Sequence, residues 1–160
     1  MEPKQTTQLA QRIREVVLDG RWIANTNCKD QLENLDWQVA TAKPGSLNTI
    51  AALTFHIDYY LAGMVRVLEG GPLDIRDKYS FDMPSVGSQE DWEKLREKLF
   101  ADAARFADLV EQMPEERLQE AFVDQMYGTW QRNIEAMIEH SYYHLGQIVL
   151  IGKLLREKLL

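Results

Sequence analysis

The sequence predicts an all-α protein, a four-helix bundle with up-down-down-up connections. Three observations lead there. Four long segments repeat apolar residues at the three- and four-residue steps of a helix face. No segment shows the period-two alternation of a half-buried strand, and no internal repeat appears. With 45% hydrophobic and 27% charged residues, the 160-residue chain can bury one sizeable core. A single domain over residues 1–160 is expected.

The first helix is expected from about Thr7 to Asp19. Leu9, Ile13, Val16 and Val17 fall on one face, Thr6 or Thr7 can cap it, and Gly20 can end it. Asn25 to Leu35 carries Leu32 and Leu35 and reads as a continuation after a kink. Pro44-Gly45 is a break. The second helix is expected from about Ser46 to Leu68, with Ile50, Leu53, Ile57, Tyr60, Leu61, Met64, Val65 and Leu68 as its stripe. Gly70-Gly71-Pro72 stops it. The segment from Gly71 to Gly87 is too long for a tight connection. It lets the second and third helices run parallel, which is the origin of the up-down-down-up expectation.

The third helix begins near Ser88, where Ser88 and Asp91 form a capping box. Trp92, Leu95, Leu99, Ala103, Phe106, Val110 and Met113 make its stripe, and Pro114 follows. Leu118, Phe122, Val123 and Tyr127 have no clean period, so no element is assigned there. The fourth helix runs from about Thr129, its N-cap, to Lys158. Trp130, Ile134, Met137, Ile138, Leu145, Ile148, Val149 and Leu155 form its inner face.

Charge and composition exclude several function classes. The chain has 18 basic and 25 acidic residues, a net −7, and no uninterrupted Lys/Arg cluster. Nucleic acid is therefore not an expected partner. No apolar run reaches the roughly 18 residues of a membrane span, so no membrane partner is expected either. Met1 to Gln5 has no apolar stretch of the kind a secretory leader needs. The one cysteine, Cys28, cannot form an internal disulfide and reads as an inert core thiol. A cytoplasmic location is the resulting expectation.

The informative residues are the three histidines, His56, His140 and His144, the only ones in the chain. His140 and His144 lie one helical turn apart, so both imidazoles can reach one ion. His56 sits between Leu53 and Tyr60, inside the apolar stripe of the second helix. All three are expected to point into the bundle. Any one alone reads as a hydrogen-bonded core histidine. Together they pose a harder problem, because three buried imidazoles need partners. A single divalent ion would satisfy all three. Three imidazoles without a thiolate suit zinc, nickel, iron or copper, and argue against calcium or magnesium. Three protein ligands also leave a coordination position open, which is the catalytic pattern.

Tyr59, Tyr60, Tyr142, Tyr143 and Gln147 are candidates for the pocket wall. Glu139 should point to solvent. Gly146 costs about 1 kcal/mol in mid-helix relative to alanine, and close helix approach is its expected reason.

The run Ile138-Glu139-His140-Ser141-Tyr142-Tyr143-His144-Leu145-Gly146-Gln147-Ile148 closely resembles the signature of the DinB-like family of metalloenzymes. His56 in Leu53-Thr54-Phe55-His56-Ile57 matches the histidine which that family carries on its second helix. The resemblance covers essentially the whole chain. It implies an up-down-down-up four-helix bundle with one divalent ion on His56, His140 and His144. Zinc or nickel is the implied metal, with iron or manganese as further candidates. It also implies a homodimer, to which exposed Trp22, Trp37 and the Met83 loop would contribute.

Relatives of this type use the metal to activate a low-molecular-weight thiol, such as bacillithiol or mycothiol, for transfer or isomerisation. The resulting expectation is a divalent-metal-dependent, thiol-dependent S-transferase acting on a small-molecule substrate. A metal hydrolase using metal-bound water is the alternative enzyme. A non-catalytic, stress-related metal-binding protein is the alternative without catalysis.

Overall fold

Each long helix after the first begins where a side-chain oxygen takes up a free backbone N–H. In the computed structural model, which describes residues 1–158, Thr49 Oγ1 accepts from Ala52 N at 3.0 Å and Ser88 Oγ from Asp91 N at 3.1 Å. Thr129 Oγ1 accepts from Arg132 N at 3.2 Å. These caps open α4 (Ile50–Leu68), α5 (Gln89–Glu111) and α6 (Trp130–Arg156). Ahead of them stand α1 (Gln5–Arg14), prolonged by a π-helical turn over Glu15–Asp19, and two short helices, α2 (Cys28–Leu32) and α3 (Trp37–Ala40). The described residues are all-helical apart from turns, loops and one isolated bridge between Ala121 and Thr129.

Several boundaries differ from expectation for local reasons. The first helix starts at Gln5 without a side-chain cap, and Thr6 is buried within it rather than capping it. The stretch after Gly20 does not continue that helix. Asn27 takes the N–H of Asp30 at 2.9 Å and Asp36 that of Gln38 at 2.7 Å, so each starts a helix of its own. The helix expected from Ser46 starts at Ile50, because Gly45 (φ +62°) and the turn after it deliver Thr49 as the cap.

The core is filled by the expected stripes. Trp92, Leu99, Ala103, Phe106 and Val110 of α5 are fully buried against Leu53, Ile57, Leu61 and Met64 of α4 and Ile13 of α1. Polar ties fasten the helices at the rim. Arg14 binds Asp108 at 2.7 Å and Glu111 at 2.8 Å. Lys98 binds the buried Asp58 at 2.9 Å, and Arg105 binds Glu69 at 2.8 Å. The Trp92 indole N–H donates to Leu35 O at 2.9 Å, tying the short helices to α5. The unassigned segment before α6 contributes Leu118 and Phe122, both buried, with Phe122 edge-on to Trp130 at 4.8 Å.

The 71–87 segment is the element that positions the site. It lies on α4 rather than bridging free space. A Cβ on Gly63 would stand 2.4 Å from Ile75 Cγ1, so only glycine lets Ile75 seat there. Tyr59 holds the neighbouring residue from both sides, donating to Arg76 O at 3.0 Å and accepting from Arg76 N at 2.9 Å.

The packing sets two expected stability losses, both read by urea unfolding. Leu99→Ala should cost about 2–5 kcal/mol, because its fully buried site has little room to collapse. Ser88→Ala should cost about 1 kcal/mol by freeing the Asp91 N–H. A Leu99→Ala protein within experimental error of the parent would contradict the packing described.

Candidate metal centre

α4 and α6 turn their histidines toward one another. His140 Nε2 lies 3.1 Å from His56 Nε2 and 3.0 Å from His144 Nε2. One ligand nitrogen from each residue falls within 4.8 Å of the others. His56 and His144 are buried and His140 is half-buried.

The far side of two rings decides what the near side offers. His56 Nδ1 stands 3.2 Å from the Ser80 carbonyl oxygen, which can only accept, so Nδ1 carries the proton. His144 Nδ1 stands 2.6 Å from Gln147 Oε1 and is protonated for the same reason. In the neutral ring, each Nε2 is then a bare lone pair. His140 carries at most one proton at Nε2 and cannot satisfy both neighbours.

Burial lowers the pKa of all three imidazoles. Burial acts first on His140, followed by the charges His144 and His56 would carry, and holds it down at about 4. For His56, burial and then His144 lower the value; for His144, burial is the lowering cause. The cluster is therefore neutral near pH 7, the form in which imidazole ligates a metal.

This donor set fits a divalent ion. Nitrogen–zinc bonds of about 2.0–2.1 Å in a tetrahedral site place ligand nitrogens about 3.3 Å apart. The observed 3.0 and 3.1 Å separations need only a few tenths of an ångström of opening. Three imidazoles supply three ligands and leave room for another.

Aromatic rings enclose the cluster. Phe81 stacks on His56 with centroids 4.1 Å apart and planes within 9°. Tyr60 stands edge-on to His56 at 5.2 Å and to His140 at 4.9 Å, and its hydroxyl donates to Asp77 Oδ1 at 2.8 Å. Tyr143 is edge-on to His144 at 4.9 Å. Phe81 and Tyr143 are also largely exposed and mark the solvent side of the cluster.

Of the expected wall residues, the structure brings Tyr60, Tyr143 and Gln147 to the histidines. Tyr59 stands one ring further out, 5.4 Å from Tyr60. Tyr142 does not belong to the site. It packs half-buried on the core and lies near Glu15 and Arg12. Glu139 is exposed and pairs with Arg132 at 3.0 Å. Cys28 is buried, and burial pushes its thiol up to about 12, so it is no nucleophile.

Two expectations are corrected. A Cβ on Gly146 would meet no atom within 4 Å, so close helix approach within the chain is not its reason. Trp37 and Met83 are half-buried against the core, leaving Trp22 as the exposed member of that trio. Sequence reasoning missed Asp77, Ser80 and Phe81. Their one available signal was the length of the loop that carries them.

The family model for the DinB superfamily matches residues 26–148, a span that contains all three histidines. No curated protein and no solved structure matches the chain.

The depressed histidine pKa values carry a pH consequence. The unfolded chain binds protons near the ordinary 6.5, whereas the folded chain resists until lower pH, near 4 at His140. The unfolded state is therefore favoured by protons as pH falls. This contribution to stability is fully present above about 6.5 and is lost as pH drops through the folded values. The imidazoles pull the urea midpoint of metal-free protein down from pH 6.5 to 4.5, against an opposing rise from Asp58, whose raised carboxyl takes up its proton in the folded state over the same range. His140→Asn should be pulled down less over that range. Parallel slopes for the two proteins would show that burial does not act on His140 as described.

Proposed function

The chain belongs to the DinB superfamily, and from that membership we propose a divalent-metal-dependent enzyme that activates a small thiol for transfer to an electrophile. His56, His140 and His144 are its metal ligands, with zinc or nickel as the ion. One observation carries the reading. Three Nε2 atoms converge, and the protein itself places the protons of His56 and His144 on the opposite nitrogens. A ligand set built for hydrogen bonding alone would not aim so many lone pairs at one point.

A divalent ion there supplies Lewis acidity to a thiol or water at its open position. The remaining roles belong to the chain. The Ser80 carbonyl and Gln147 Oε1 hold two rings in their ligand tautomer. Phe81 covers one face of His56 and keeps water from it. The Tyr60 hydroxyl keeps its proton directed at Asp77, so it is not a donor toward the histidines.

The same reading takes α1, α4, α5 and α6 as an up-down-down-up bundle. Asp58 pairs with Lys98 and Glu69 with Arg105, an advance in one direction along both helices that supports parallel α4 and α5. Arg14 pairs with Asp108 and Glu111, while Gln5 N meets Glu115 beyond the end of α5, which supports an antiparallel α1. We also take the protein as one domain working as a cytoplasmic homodimer. The 88% exposed Trp22 and the buried free thiol of Cys28 support that part.

Metal-free protein titrated with zinc or nickel in a calorimeter should bind one equivalent. Alanine at His56, His140 or His144 should weaken binding by about 100-fold or more, and Gln147→Ala by about tenfold. Glu139→Ala should bind like the parent. Zinc-loaded protein should then consume a free thiol in the presence of an electrophile, and His140→Ala should not. Equal, weak binding by the parent and His140→Ala would end the metal reading. Thiol consumption unaffected by His140→Ala would end the transferase reading alone.

A further inference from the structure

A cavity of about 350 Å³ lies beside the histidine cluster and shares a wall with it. Tyr60 is that wall. It lines the cavity and stands edge-on to His56 and His140. Met137, one turn before His140 on α6, lines the cavity too, so cavity and histidines lie on the same faces of the same two helices. Leu73 and Ile75 from the 71–87 segment, Phe122 from the segment before α6, and Met64 of α4 also line it.

Three of its polar side chains, Tyr60, Asp77 and Asn133, already carry hydrogen bonds. Asp77 takes the Tyr60 hydroxyl at 2.8 Å, and the Asn133 amide donates to Tyr127 O and Thr129 O, both at 2.8 Å. Among the described residues, no Lys or Arg lines the cavity. Among the described residues, the charged side chain in its lining is Asp77. A carboxylate entering here would lose water, meet no cation and face an anion. An apolar group would lose only its contact with water, in a volume large enough for an aromatic ring.

We propose that this site selects an uncharged ligand with an aromatic or aliphatic group, which occupies the cavity between Tyr60, Leu73, Ile75, Phe122 and Met137. This rests on the metal reading for the donor end of the ligand, which reaches the three histidines past Tyr60. It makes Tyr60, Leu73 and Met137 specificity-determining residues, and it disfavours thiols or electrophiles that carry carboxylates near the reacting atom.

Two measurements on the full chain test it. In the first, cobalt(II)-loaded protein is titrated with benzyl mercaptan, 2-mercaptoethanol and 3-mercaptopropionate, following the sulfur-to-cobalt absorption band. On binding, the thiol proton leaves to buffer and sulfur donates its lone pair to cobalt. Benzyl mercaptan should bind at least about tenfold more tightly than either of the others, given the apolar area it buries. Leu73→Arg should erase that advantage and favour 3-mercaptopropionate. Tyr127→Arg, at the half-exposed rim of the cavity, should do the same if Leu73→Arg does not fold.

In the second, metal-free protein with ¹³C-labelled methionine methyls is titrated with benzyl alcohol. The Met137 and Met64 resonances should shift saturably. Failure to bind cobalt alongside shifted methyls would overturn the metal reading but support the ligand class. Cobalt binding with still methyls, or with the three thiols bound alike or 3-mercaptopropionate preferred, would overturn the ligand class and leave the metal reading standing.

Discussion

Three neutral imidazoles brought edge to edge cannot satisfy one another, and the rest of the structure is arranged around that fact. Each ring has one donor and one acceptor. Ser80 and Gln147 consume the donors of His56 and His144, so a single proton on His140 Nε2 can satisfy only one of the two neighbours at 3.0–3.1 Å and leaves the other lone pair unmet. In a low-dielectric interior such a gathering of lone pairs is unfavourable unless a cation or donor enters it. The helices that impose it must therefore be rigid for other reasons. The apolar faces of α4, α5 and α6 provide that rigidity, with the Trp92, Leu99 and Phe106 layer at their centre.

α4 has to serve two neighbours at once. One side presents His56 and Tyr60 to α6; another presents Asp58 to Lys98 of α5. Asp58 is 3% exposed, and burial raises its carboxyl to about 7 against the pull of Lys98. A buried carboxylate two residues from His56 adds little net stability. It does fix which side of α4 meets α5, and so which side is left for the histidines.

The helical class, the stripes and the three histidines were legible because they depend on local spacing. A period near 3.6 reports which face is buried, and His140 with His144 is such a spacing. The caps at Ser88 and Thr129 were legible for the same reason, since capping is a three-residue interaction. What could not be read depends on contacts between distant segments. Ser80 and Phe81 lie 24 and 25 residues from His56, and no periodicity joins them. Tyr142 and Tyr143 are adjacent, and only the packing of α6 on α1 decides that one faces the core and the other His144. That the chain after Gly20 forms two separate short helices, α2 within the expected stretch and α3 beyond it, turned on Asn27 and Asp36, residues whose side chains compete with continued helix.

Gly63 gives the loop and the helix beneath it a shared fate. Ile75 sits in the hollow where a Cβ would be, two residues before Asp77 and five before Ser80. The 71–87 segment is therefore seated on α4 like a key on a keyway, and its register is set at a point remote from the imidazoles. A methyl group added at position 63 would lift the segment without touching any histidine. The carbonyl that orients His56 would leave with it. Loops ordinarily absorb insertions and substitutions without consequence; this one would transmit them to the histidines.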